Sequence, residues 1–176
     1  MMNGPGAVWQ QAADNFDRHL QAVTDDQWSA PTNCGEWTVK DLVDHTVNSQ
    51  ARIGGAIGAS TAPTDEWSDV RSKITAALGD PSNLEGNLEG GPFNGMPKHQ
   101  LLGIAVGDLL IHSWDLAVAI DGDRTLPDEA VEAVHLGLQR MPPQMMRSSG
   151  MFGPEVEVPA DASAQDKLLG FVGRQP

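Results

Sequence analysis

Asp108 and His112 stand four residues apart in the most continuous apolar segment of the chain. On a helix that spacing projects both side chains from one face, one turn apart. A carboxylate and an imidazole so placed can share one metal ion, as in the HExxH helix of zinc proteases. His45 lies upstream, in the middle of a second apolar pattern. If the two helices are neighbours, two imidazoles and one carboxylate converge, and a fourth coordination position stays open for water or substrate. Such a position lowers the pKa of a bound water or thiol. The bland readings stand beside this one. A lone helical histidine is more often an ordinary core or surface residue than a ligand, and Asp/His pairs at this spacing form ordinary surface contacts.

Other residues carry weaker signals. Asp115 follows His112 by three and suits two roles: acceptor for an imidazole N–H, or salt-bridge partner of Arg124. His19, His99 and His135 read as solvent-facing or loop residues. Cys34 shows no environment that would lower its pKa, so it reads as a small packed or loop residue rather than a nucleophile or ligand. Trp28, Trp37, Trp67 and Trp114 read mostly as core, with Trp37 and Trp114 as candidate walls of a pocket. Arg174 stands near the end, and no motif gives it a role. No GxGxxG, P-loop or GxSxG motif is present, so classical nucleotide and serine-hydrolase chemistry lacks support.

The elements that must position these residues are helices. Trp9, Ala13, Phe16, Leu20 and Val23 mark an apolar stripe on a helix from about Gly6 to Val23. A loop through Pro31, Asn33 and Gly35 follows. Thr38 with Asp41 three residues on predicts a capped helix start, a variant of the capping box. That second helix carries His45 and reaches Ile57, with Gly54, Gly55 and Gly58 weakening its end or allowing close packing. Trp67 to Leu78 predicts a third helix. The glycine-rich connection from Asn83 to Pro97 contains an Asn94-Gly95 turn signal. A fourth helix runs from about Lys98 to Ile120, and a fifth from about Asp128 to Met141, stopping at Pro142-Pro143. Glu155-Val156-Glu157-Val158 alternates like a short strand, and Ala164 to Gly173 predicts a terminal helix. The whole reads as an all-α chain: an up-down-up-down four-helix bundle with a long crossover between the third and fourth helices. Residues 1–149 form the bundle, and 150–176 a short extension packed on the same domain.

Composition bounds the partners. With 40% hydrophobic and 20% charged residues the chain is globular. Its net charge of -13 and lack of a Lys/Arg cluster disfavour nucleic acid and anionic membrane surfaces. No apolar run of membrane-spanning length and no secretory leader is evident. One cysteine cannot make an internal disulfide, which fits a reducing cytoplasm. A monomer or homodimer is expected.

The stretch WSAPTNCGEWTV from Trp28 to Val39, followed by Asp41-Leu42-Val43 and His45, resembles the N-terminal signature of the mycothiol-dependent maleylpyruvate isomerase family. The stretch DLLIHSWDLA from Asp108 to Ala117 resembles its second metal-binding segment. The stretch FGPEVEVPADA from Phe152 to Ala162 is similar to a branch of short actinobacterial metal-binding members. The resemblance covers nearly the whole chain and implies a DinB-like four-helix bundle. It implies a divalent metal held by His45, Asp108 and His112. Zinc is the expected ion, though nickel or iron would accept the same donors. It further implies a thiol cofactor such as mycothiol or bacillithiol and a small electrophilic substrate. Two departures stand out. The isomerase has a glutamate where this chain has Asp108, and a larger C-terminal domain, so activity on maleylpyruvate is not implied. The chain is thus expected to be a metal- and mycothiol-dependent transferase or isomerase. The alternatives are a non-catalytic metal- or ligand-binding domain and a metal-dependent hydrolase.

Overall fold

A computed structural model describes residues 4–141 and 152–176. Six α-helices and no strands occur among them: α1 Pro5–Ala22, α2 Val39–Ala56, α3 Trp67–Leu78, α4 Lys98–Ala119, α5 Asp128–Gln139 and α6 Ala164–Phe171. A short 3-10 turn, Pro81–Leu84, precedes α4. Each of α1 to α4 packs against two of the others, closing a ring in the order α1, α4, α2, α3. This packing is consistent with a DinB-like bundle. Helix α5 lies against α4 and α1, and α6 lies against α5.

Local chemistry explains the helix ends. Pro5 occupies the first turn of α1, where its missing N–H costs nothing. At α2 the capping box forms as read: the Thr38 side chain accepts from the Asp41 N–H, and the Asp41 carboxylate accepts from the Thr38 N–H at 2.9 Å. At the far end of α2, a Cβ on Gly54 would stand 2.8 Å from Ile74 Cγ1. That glycine is what lets α3 approach so closely.

Helix α4 is the centre of the core. Leu101, Leu102, Leu109, Leu110 and Leu116 are all at most 1% exposed. An 18-residue window in it reaches a mean hydropathy of 1.5, the level of a membrane span, so the reading that nothing in the chain is long and apolar enough needs correcting. In the fold 67% of that window is buried against the rest of the protein. Its apolarity is therefore spent on contacting helices all round rather than on one face.

Two connections differ from expectation. The crossover before α4 is not irregular throughout. Asn87 and Pro97 form an antiparallel bridge, and Leu88 donates to the Met96 carbonyl at 2.8 Å. Residues 155–158 form no strand among the described residues. Val156 donates instead to the Gly170 carbonyl of α6 at 2.9 Å. A Cβ on Gly170 would lie 2.6 Å from the Val156 carbonyl oxygen, so only glycine admits this approach. The helix stop read at Pro142-Pro143 and the boundary between residues 149 and 150 lie outside the described residues.

Candidate metal centre

The three residues singled out by spacing meet between α2 and α4. His45 projects from α2, and Asp108 and His112 from successive turns of α4. Asp108 Oδ1 is 3.7 Å from His45 Nε2 and 3.8 Å from His112 Nε2. The three ligand atoms lie within 4.8 Å of one another, a group that one ion with bonds of about 2.0–2.2 Å can draw together. Trp37 covers them, its ring centroid 4.6 Å from that of His45 and 6.2 Å from that of His112.

Buried partners orient two of the three. Gln50, one and a half turns beyond His45, is fully buried. Its amide donates to Asp108 Oδ2 at 3.2 Å and to the Ala105 carbonyl at 3.0 Å, while its oxygen accepts from Trp9 Nε1 at 3.1 Å. One carboxylate oxygen of Asp108 is thus tied to the core, and the other faces the imidazoles. On the other side of His112, Nδ1 lies 3.0 Å from Asp115 Oδ2. A Nδ1–H bonded to a carboxylate leaves the lone pair on Nε2, the tautomer a metal ligand needs.

Asp115 is the hub of this second layer. Its side chain is 0% exposed. It accepts from Asn33 Nδ2 at 2.8 Å, from the Cys34 thiol at 3.3 Å, and from Arg174 Nε and Nη2 at 3.1 and 2.7 Å. Burial alone would raise its pKa. The hydrogen bonds from His112 and Arg174, with the guanidinium charge, outweigh burial and hold the carboxyl well below the usual range. Of the two roles open to Asp115, acceptor for His112 is the one found. Its cation is Arg174, whereas Arg124 lies 4.0 Å from Asp121. Burial, then the Asp115 carboxylate, push the Cys34 thiol up to about 12, so it stays protonated and is no free nucleophile, in line with its reading as a packed residue.

Other readings fare unevenly. His99 is exposed, but His19 is 2% exposed, and its Nε2 has no hydrogen-bond partner among the described residues. His135 is half-buried against Phe171, ring centroids 5.6 Å apart. Trp114 and Trp67 are core, at 3% and 6% exposed. Sequence reasoning missed Gln50, Asn33 and Arg174. Only Gln50 left a trace, as a polar residue amid the apolar pattern of α2.

A cavity of about 2220 Å³ opens over the group. Trp37, His45, Asp108 and His112 line it together with the crossover segment from Asn87 to Phe93 and the α5 residues Val134 and Leu138.

Comparisons with known proteins reach part of this region. Residues 9–86, which take in most of α1, all of α2 and α3, and His45, match the family model described as the mycothiol maleylpyruvate isomerase N-terminal domain. Asp108 and His112 fall beyond the matched segment. Two uncharacterized proteins of Mycobacterium tuberculosis, Rv0738 of strain H37Rv and MT0763 of strain CDC 1551, are each 28% identical over 178 residues, covering 97% of both chains. No solved structure matches. Through residues 9–86 the chain is similar to the mycothiol maleylpyruvate isomerase N-terminal domain family.

Proposed function

We propose that the chain binds one divalent metal ion through His45, Asp108 and His112, and uses it to bring a low-molecular-weight thiol, mycothiol or a relative, to a small electrophile in an isomerase or transferase reaction. The observation that carries the reading is the convergence of Nε2, Nε2 and Oδ1 within 4.8 Å on the wall of an open cavity. Zinc suits the donor set, and nickel or iron would also be accepted. The reading includes an up-down-up-down order for α1 to α4.

A dication held there would supply a Lewis acid that favours the ionised form of a thiol. The protein's part is orientation. Asp115 keeps the Nδ1 proton on His112, and Gln50 turns one Asp108 oxygen toward the imidazoles. Trp37 shields His45 and offers a flat apolar wall. The cavity over the group leaves it accessible to a thiol and a small electrophile. No protein nucleophile is called for, in keeping with a protonated Cys34.

The test is metal analysis of the purified protein, followed by titration with mycothiol under X-ray absorption. Stoichiometric metal and a sulfur in its first shell at saturating thiol are expected. A shell of nitrogen and oxygen alone under those conditions would rule out the thiol mechanism.

A further inference from the structure

His112 presents a nitrogen to each of two groups of donors. Its Nε2 lies 3.8 Å from Asp108 Oδ1, and its Nδ1 lies 3.0 Å from Asp115 Oδ2. On the second side Cys34, His112 and Asp115 also offer three ligand atoms within 4.8 Å of one another. Thiolate, imidazole and carboxylate are all ligands that zinc accepts. A neutral imidazole has only one lone pair, so an ion on either side takes His112 from the other. The two groups compete.

What separates them is a charge. Arg174 Nη2 stands 2.7 Å from Asp115 Oδ2 and 3.9 Å from Cys34 Sγ, and Nε is 3.1 Å from Asp115 Oδ1. A guanidinium stays protonated in a protein. A dication entering this corner would meet that fixed charge at close range, where little water screens it. Asp108 has a different set of partners: among the described residues it meets His45, His112 and the neutral amide of Gln50.

We propose that Arg174 is the resident cation of the Cys34–His112–Asp115 group, excluding metal and sulfur ligation there and confining a divalent ion to His45, Asp108 and His112. The inference rests on the metal reading above and extends it. A protein thiolate on the ion would fill the position that an external thiol needs. Arg174 keeps Cys34 outside the shell and that position free.

Cobalt(II), with no added thiol, is the probe, because sulfur on cobalt gives a charge-transfer band that nitrogen and oxygen do not. The wild-type protein should bind cobalt without this band. Arg174→Met should gain it, Arg174→Met with Cys34→Ser should lose it again, and Arg174→Lys, which keeps the charge, should lack it. A sulfur band in the wild type overturns the proposal. So does an Arg174→Met protein, folded by circular dichroism, that binds cobalt without the band or binds none. If Arg174→Met does not fold, alkylation of Cys34 in the wild type decides: equal rates with and without zinc support the proposal, and protection by zinc overturns it. A wild type that binds no cobalt sinks the metal reading instead, and a sulfur band in Arg174→Met would still identify Arg174 as the excluding cation.

Discussion

The two sides of His112 have nearly the same ligand chemistry and opposite electrostatics. On the Nδ1 side Asp115 is 0% and Arg174 15% exposed, and the carboxylate is matched by a guanidinium and surrounded by donors. On the Nε2 side His45 is 37% and Asp108 17% exposed, and the Asp108 carboxylate is held by the amide of Gln50. The first side is centred on a fully buried, charge-balanced carboxylate, although Cys34 and Arg174 reach the same cavity. The second faces the cavity with a carboxylate and two imidazoles, and lacks a matching cation among the described residues. Local charge balance, more than the type of ligand, distinguishes a structural corner from a candidate metal site.

Substitutions should separate the two sides. His45→Ala has the largest expected effect: loss of stoichiometric metal by elemental analysis, with apo-protein stability within about 0.5 kcal/mol of wild type, as for a partly exposed side chain. Full metal in that variant would dissolve the contrast. Asp115→Ala should reverse the pattern, destabilising the apo-protein by about 3–5 kcal/mol in denaturant melts, because Arg174 is left buried without its counter-charge. Gln50→Leu should act on both readouts but less. It removes the donor to Asp108 and Ala105 and the acceptor of Trp9, costing about 1–3 kcal/mol and roughly 10–100-fold in zinc affinity measured by chelator competition.

The smallest effect tests a background that could be mistaken for the site. Burial, then Arg18, lower the pKa of His19, with Asp123 opposing. Its unfolded value is near 6.5, so the unfolded chain takes up the proton first as pH falls. Stability from this group is complete above about pH 6.5, declines below it and levels off once the folded-state pKa is passed. Denaturant melts above and below that pH should show the decline in the wild type and a flatter profile in His19→Leu. An undiminished slope in the variant would move the pH dependence elsewhere.

Much of the candidate site was legible because it is local or periodic. The i, i+4 spacing of Asp108 and His112, the capping box at Thr38 and the apolar stripes all report on one helix at a time, and helix boundaries for α2 and α3 came out within a residue. The resemblance supplied the pairing of His45 with the second segment. Arg174 was not legible. It meets Asp115 across 59 residues and Cys34 across 140, and a long-range contact between a loop and a tail leaves no period. His19 misled for a related reason: a polar residue in an amphipathic helix was assigned outward, yet it flanks Phe16 on the buried face of α1. The alternation at residues 155–158 was real, but a strand needs a partner strand, and that backbone meets α6 instead.

The tilted ring contact between Trp37 and His45 makes the chain its own optical sensor. An indole whose centroid sits 4.6 Å from an imidazole feels any change in that ring's charge through its excited-state dipole. Filling the group beside His45 should therefore shift or quench emission from Trp37, and Trp37→Phe should silence the response. Occupancy could then be followed in real time without a label.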